Sequence, residues 1–244
     1  KIELPNLKIL QLDNNNFESL ADFSTSPITI FTISNNQPLK EIKTKTLSSC
    51  ITSCDFTGCS IDKINPEIFK LSQLKNLVLT KNNIHEVPPE ISKSFLLSLV
   101  ISENPVESLP HLPPTIIRFY GCKCKFQDFP EALMRLPKLK IIDMSCNSLT
   151  KIPTLPKAQI INASCNKIEN FPFLPESIEY ADFSHNKIKS CKLKGQHKHL
   201  TELDISHNVI ETIDIESLER TRSLQVLKIS HNRNLSVDLR LDNF

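Results

Sequence analysis

One short phrase, LxxLxLxxNxL, recurs along the whole chain, and such a recurrence has to be explained before any domain is assigned. Three clear copies begin at Leu7, Leu74 and Leu200. Eleven copies follow one another at spacings of 19 to 24 residues, so each copy has room for one short strand and one return segment. The copies begin at Leu7, Ile28, Ile51, Leu74, Leu96, Ile116, Leu139, Ala158, Ile178, Leu200 and Leu224.

The LxL centre of each copy predicts a short strand, because alternate residues of a strand point to the same side. The asparagine that follows is expected to turn the chain off the strand and to bond to neighbouring coils through its amide. One coil cannot bury its apolar side alone, so successive coils must stack with their strands parallel. The asparagines of this predicted ladder are Asn15, Asn36, Asn82, Asn104, Asn147, Asn166, Asn186, Asn208 and Asn232, and Cys59 and Cys124 take the position in the other two copies.

In this pattern the chain resembles the leucine-rich repeat superfamily over essentially its whole length. The resemblance implies an α/β solenoid, a right-handed horseshoe of about 11 repeats with a parallel sheet on its concave side. Endings such as Ile152-Pro153 and Phe171-Pro172 are similar to those of Ras-interacting and Scribble-type intracellular repeats. Residues 1–244 are expected to form a single leucine-rich repeat domain, as a fragment of a longer array or multidomain protein.

The convex return segments are short, which predicts extended or 3₁₀ backbone in the shortest repeats and single helical turns in the longer ones. Prolines that follow the closing apolar residue suit such segments, since proline fixes φ and removes a donor. The helix candidates are Pro66–Leu71, Pro130–Leu136 and Ser217–Thr221.

Composition excludes several classes of function. The three glycines stand alone, whereas an average chain of this length carries roughly 17, so no glycine-rich phosphate-binding loop is present. The net charge of +2 gives no reason to expect a nucleic-acid partner. No apolar run reaches the roughly 20 residues of a membrane span.

The eight cysteines are scattered between Cys50 and Cys191 and do not cluster near the two ends, as they do in secreted repeat proteins of this kind. This distribution favours reduced thiols and a cytoplasmic location. The sequons at Asn162 and Asn234 favour the alternative, an extracellular or cell-surface protein.

The residues just before the ladder asparagines form a second column along the stack. Cysteines and histidines occupy five successive positions of this column, and their presence has two interpretations. Side chains about 5 Å apart on neighbouring coils could bind zinc, or the histidines could belong to the Ser-His-Asn phrase that is common in the superfamily. The column comprises Cys146, Cys165, His185, His207 and His231, and we expect no metal there.

We also expect no cofactor and no catalysis. The serines of the repeat are interchangeable, and no base singles one out as a nucleophile.

Side chains that the repeat does not prescribe point to a binding surface. The outward positions of the middle strands carry an apolar and aromatic stripe, and such patches mark protein interfaces. The alternative is that β-branched and aromatic residues simply favour strands. The stripe comprises Val78, Val100, Tyr120, Ile141, Ile160 and Tyr180, and it is flanked by Arg118, Asp143, Asp182 and Asp204.

Gly121 is the one core position without a side chain. It marks either a defect that Phe119 and Phe126 fill, or a kink at which a partner approaches closely.

These features predict a non-catalytic scaffold that binds a protein on its concave sheet, with a small GTPase or another signalling protein as the candidate partner. Two alternatives stay open. The segment could be the regulatory arm of a larger signalling enzyme, such as a phosphatase, an adenylyl cyclase or a kinase. It could also be a secreted or cell-surface receptor ectodomain.

Overall fold

The computed structural model describes residues 1–235, which fall into two compact units. The first unit comprises Lys1–Phe126 with Pro130–Leu139, and the second comprises Gln127–Phe129 with the residues from Lys140 onward. Each unit is described by itself below. The single domain expected from the sequence stays a prediction.

Six parallel strands of three residues each form the sheet of the first unit. Neighbouring strands pair in simple register, so that Ile9 lies opposite Ile30 and Val78 opposite Val100. The strands are β1 (Ile9–Gln11), β2 (Ile30–Thr32), β3 (Ser53–Asp55), β4 (Asn76–Val78), β5 (Ser98–Val100) and β6 (Arg118–Tyr120).

The second unit continues the same construction and adds a minor sheet. Its main parallel sheet pairs each repeat with the next, and two two-residue strands on the return side pair with each other. The strands are β7 (Ile141–Asp143), β8 (Ile160–Asn162), β9 (Tyr180–Asp182), β10 (Ser190–Cys191), β11 (Glu202–Asp204), β12 (Thr212–Ile213) and β13 (Val226–Lys228). The predicted parallel leucine-rich repeat fold is therefore confirmed within each unit, whereas β10 and β12 were not predicted.

The middle residue of most strands is buried and its two neighbours are half-buried, as the alternation in the sequence predicts. Phe31, Phe119 and Leu203 are examples that lie almost wholly out of water. Burial of each such side chain stabilises the fold by about 1.5–3 kcal/mol. The stacking of coils is what buries these side chains.

The ladder asparagines hold adjacent coils together as predicted. Asn186 donates from Nδ2 to the carbonyl oxygens of Ala163 (3.0 Å), Phe183 (3.0 Å) and Ser184 (3.1 Å). Its Oδ1 accepts the backbone N–H of Ile168 at 2.9 Å. Where cysteine replaces asparagine, the thiol of Cys59 keeps two of these contacts, to the carbonyls of Ile33 at 3.4 Å and Thr57 at 3.9 Å.

The turn itself is made one residue earlier than the sequence suggested. In all eleven coils the residue before the ladder position has a positive φ, and glycine occupies this position only at Gly58. The other ten are non-glycine residues with φ between 51° and 59°, in the left-handed region that favours glycine. Lys81 shows how the strain is offset, because its N–H donates to the carbonyl of Ser102 in the next coil at 2.9 Å.

Repeat length decides the structure of the return segments. Within residues 1–235, helical turns occur only in repeats of 22 to 24 residues, and the repeats of 19 and 20 residues return in extended backbone. The three predicted turns are confirmed within two residues at their starts, and two further 3₁₀ turns were missed. The turns are the 3₁₀ helices Thr44–Thr46, Pro66–Lys70 and Pro89–Lys93 and the helices α1 (Glu131–Met134) and α2 (Ile215–Glu219).

Gly121 lies in a space that two aromatic rings already fill. A Cβ built on it would stand 2.8 Å from Cε1 of Phe119 and 3.1 Å from Cε2 of Phe126. Both rings are fully buried. The structure therefore supports the interpretation in which larger neighbours replace the missing leucine, and no gap is left there for a partner backbone.

Candidate protein-binding face

The outward-pointing first and third residues of the strands form what we call the sheet face. In the first unit Val78, Val100 and Tyr120 are the third residues of β4, β5 and β6, and each lies opposite the next in register. All three side chains are half-buried. Arg118, the first residue of β6, is also half-buried and lies opposite Ser98. The four predicted residues of this unit thus share one face.

The second unit presents its part of the predicted stripe in the other column. Ile141, Ile160 and Tyr180 are the first residues of β7, β8 and β9, and they lie opposite one another in register. They too are half-buried. Apolar side chains that remain partly in water on a sheet face are available to a partner.

The aspartates of the sheet face have a structural role as well as a charge. Oδ1 of Asp143 accepts the N–H and the hydroxyl of Ser145, at 2.9 and 2.6 Å. Oδ1 of Asp204 accepts the same two groups of Ser206, at 2.9 and 2.6 Å. This short turn after the strand explains why aspartate and serine recur at fixed spacing. The hydroxyls of Ser145 and Ser206 are thus both engaged by the carboxylate two residues before them.

Asp204 differs from the other predicted residues because it is only 9% exposed. Lys228, opposite Asp204 in register, places its Nζ 3.8 Å from Asp204 Oδ2 and 2.6 Å from Glu202 Oε1. Glu202 and Lys228 were not among the predicted site residues, although they occupy the same outward columns. Their charge within those columns is the signal that could have identified them.

Three histidines of the second unit form a histidine stack, His185, His207 and His231. Adjacent ring centroids are 4.0 Å apart, and the rings are inclined by 11° and 16°. Partial desolvation, followed by the neighbouring histidines, lowers the pKa of His207. Rings stacked in this way direct their nitrogens within parallel planes, whereas zinc needs nitrogens that converge. Within residues 1–235 no group of three or more His, Cys, Asp or Glu is placed to hold a metal ion.

Cys54 and Cys191 are buried core residues, and Cys124 is half-buried at a ladder position. Burial raises the pKa of Cys191 to about 12 and that of Cys124 to about 11, and it raises the pKa of Cys54 further still. A thiol with so high a pKa is protonated at neutral pH and is a poor nucleophile. These positions are therefore explained by packing, whatever the compartment.

The two sequons occupy different situations. Asn162 is the third residue of β8, and its Oδ1 accepts the N–H of Ser164 at 3.1 Å and the hydroxyl at 2.8 Å. Its side chain thus serves the same turn as the aspartates do. The second sequon begins at Asn234, and its Ser236 lies outside the described residues.

The return side of the second unit carries a basic segment. Lys187, Lys189 and Lys194 are exposed to solvent, and Lys192 forms an ion pair with Asp214 at 2.8 Å. His197 is buried, and its two ring nitrogens lie 3.3 and 3.1 Å from the carbonyl oxygens of Pro175 and Lys194. This histidine is part of the packing of its coil. In the described part of the chain no helix has the length and apolar character needed to cross a bilayer.

Comparison with known proteins agrees with this architecture. The family profile described as Leucine Rich Repeat matches residues 199–220. Lumican of Gallus gallus is 32% identical over 188 residues, which cover 69% of this chain and 54% of lumican. The chain thus spans about half the length of this curated relative.

Two solved structures share the fold at low sequence identity. A chain of the Drosophila Toll–Spatzle complex matches 93% of this chain and 33% of its own length, with a TM-score of 0.76 and 17% identity. YopM from Yersinia enterocolitica matches 97% of this chain and 58% of its own, with a TM-score of 0.62 and 23% identity. The repeat pattern, the profile match and these relatives together support the assignment of this chain to the leucine-rich repeat superfamily.

Proposed function

We propose that this chain is a non-catalytic protein-binding module whose sheet face, the predicted concave surface, contacts the partner. The observation that carries the proposal is the placement of half-exposed apolar and aromatic side chains at positions that the repeat does not prescribe. Tyr120 in the first unit and Tyr180 in the second are the central examples. Tyrosine is enriched at interface positions that contribute most to affinity.

The partner class and the compartment belong to the proposal as well. The scattered cysteines and the Ile-Pro and Phe-Pro endings favour a cytoplasmic scaffold of the Ras-interacting or Scribble type, with a small GTPase or another signalling protein as the partner. The similarity to lumican and to Toll favours an extracellular or cell-surface role, as part of a receptor or matrix protein. A regulatory arm of a signalling enzyme is the third possibility, and it uses the same face.

Truncation of one tyrosine in each unit tests the proposal. Immobilised chains with Tyr120→Ala or Tyr180→Ala should lose proteins that the unaltered chain captures from cell extract or conditioned medium, as measured by quantitative mass spectrometry. Phe95→Ala and Phe173→Ala are matched controls, because these rings are about half exposed and lie outside the strands. Circular dichroism should show that all four variants keep the fold. Equal capture by both tyrosine variants and the unaltered chain would refute a binding role for the sheet face.

A further inference from the structure

Charge is distributed unevenly over the sheet face. The outward strand positions of the second unit hold four carboxylates, on Asp143, Asp182, Glu202 and Asp204, against the single ammonium of Lys228. Those of the first unit hold one carboxylate, on Asp55, and one guanidinium, on Arg118. The chain as a whole has a net charge of +2. The negative excess is therefore local to one face of the second unit.

An aromatic ring lies inside this negative region. Tyr180 is opposite Glu202 in register, and Asp182, two residues along the same strand, is opposite Asp204. We call Tyr180, Asp182, Glu202 and Asp204 the acidic patch. Partial burial, followed by the charges of Asp182 and Glu202, raises the pKa of Tyr180. Ile160 continues the patch on the other side of the ring and offers an apolar surface.

The protein already places one cation on the acidic patch. The ammonium of Lys228 reaches Glu202 Oε1 at 2.6 Å and Asp204 Oδ2 at 3.8 Å. No lysine or arginine within residues 1–235 forms an ion pair with Asp182. Glu202, opposite Tyr180, and Asp204 thus share the one ammonium of Lys228, and Asp182 is the carboxylate of the patch that has no ion pair within residues 1–235.

Asp182 is held in position by the backbone. Its Oδ1 accepts the N–H of Ser184 at 2.9 Å, which fixes the carboxylate at the end of β9. The side chain of Asp182 is half-buried, so a cation bound there would be partly shielded from water. Partial desolvation strengthens an ionic hydrogen bond relative to one at an open surface.

We propose, on the basis of the protein-binding function proposed above, that the acidic patch receives an arginine side chain from an extended segment of the partner. The guanidinium stacks on the ring of Tyr180 and donates to the carboxylate of Asp182, and an apolar neighbour in the segment contacts Ile160. Arginine fits better than lysine, because its planar group stacks on aromatic rings, forks onto carboxylates and is less strongly hydrated.

Labelled peptides provide the test on the whole chain. The probe is a fluorescein-labelled peptide of nine residues in which arginine alternates with leucine, and its counterparts carry lysine or glutamate in place of arginine. Fluorescence anisotropy should give binding of the arginine peptide at least ~3-fold tighter than that of the lysine peptide, and no binding of the glutamate peptide. Tyr180→Ala should weaken the arginine peptide by ~5-fold or more, whereas Tyr180→Phe should retain most of the affinity.

Asp182→Asn isolates the charge from the fold. Asn162 shows that asparagine can make the same turn in the neighbouring coil, where its Oδ1 accepts the N–H of Ser164 at 3.1 Å. We expect Asp182→Asn to weaken the arginine peptide by ~5-fold or more. Glu176→Gln removes the same charge from an exposed position outside the strands, and it should leave the affinity unchanged.

The outcomes separate this proposal from the one on which it rests. Equal affinity for the arginine and lysine peptides, or equal effects of Asp182→Asn and Glu176→Gln, would overturn the arginine proposal. If the arginine peptide does not bind while Tyr180→Ala still abolishes protein capture, the arginine proposal is wrong and the protein-binding function stands. If neither tyrosine variant changes protein capture, the proposed role of the sheet face in protein binding is itself wrong.

Discussion

An inner ladder asparagine such as Asn208, unlike Asn15 of the first coil, satisfies buried polar groups of two coils with one side chain. Its amide donates to carbonyls of its own turn and of the preceding coil, and its oxygen accepts one N–H of that preceding coil, as Asn208 does for Ile188 at 3.0 Å. A buried group that loses its partner costs about 1–3 kcal/mol. The ladder thus links the sequence phrase directly to the stacking of coils.

Truncation of a buried ladder residue should therefore be far more costly than truncation of an exposed one. Asn186→Ala removes four hydrogen bonds at a buried position, and we expect it to lower the free energy of unfolding by about 2–4 kcal/mol. Asn15→Ala removes two hydrogen bonds at an exposed position, where water replaces them, and should cost less than about 1 kcal/mol. Urea unfolding of both variants measures the difference, and equal losses would contradict the role of the ladder.

The histidine stack gives stability a dependence on pH. The pKa of His207 is lowered in the folded chain, whereas an unfolded histidine titrates near 6.5. Between the lowered pKa and about pH 6.5 the unfolded chain therefore binds more protons than the folded chain. The stability that neutral His207 contributes is fully present above about pH 6.5 and is lost as the pH falls through the lowered pKa.

Two measurements check this prediction. His207→Gln should reduce the loss of stability between pH 7.5 and pH 5.5, as measured by urea unfolding at each pH. In the double variant His185→Gln with His231→Gln, an NMR titration should show the pKa of His207 moving back toward its ordinary value. An unchanged pKa in that variant would show that the neighbouring rings do not cause the shift.

At the scale of elements, each coil adapts its core to its own length. The seventh and eighth repeats, of 19 and 20 residues, return in extended backbone, and small residues such as Ala158 and Ala163 occupy core positions of the eighth. The sixth repeat compensates differently, since two phenylalanines surround Gly121. The volume of the core side chains is thus matched to the space available in each coil.

This matching predicts a rescue in the sixth repeat. Gly121→Leu restores the leucine of the repeat phrase, yet it should destabilise the chain by about 1–3 kcal/mol because the rings of Phe119 and Phe126 occupy the space. Adding Phe119→Leu should recover part of that loss, since the two changes exchange volume at one site. Urea unfolding of the two single variants and the double variant gives the coupling free energy between Gly121→Leu and Phe119→Leu. Additive losses would show that the rings do not fill the position of the missing side chain.

At the scale of the molecule, the sequence predicted what the repeat phrase controls and missed what depends on local contacts. Strand positions, their burial and the asparagine ladder follow from the period alone. The left-handed turn residues could not be read from residue types such as Lys81 or Glu103, because the strain is offset by hydrogen bonds to the next coil. The ion pair between Glu202 and Lys228 in the second unit could not be predicted from the sequence either, because it depends on the register between neighbouring coils.

Site-specific photo-crosslinking from the sheet face tests directly whether a partner protein lies against it. Benzoyl-phenylalanine is introduced in place of Tyr120 or Tyr180, and for comparison in place of Phe95 or Phe173 on the return side. Irradiation in the presence of cell extract or conditioned medium, followed by mass spectrometry, identifies the proteins that lie against each position. A binding role of the sheet face predicts covalent adducts with the same partner from Tyr120, Tyr180 or both, and none with that partner from Phe95 or Phe173. Adducts formed only from Phe95 or Phe173 would contradict it.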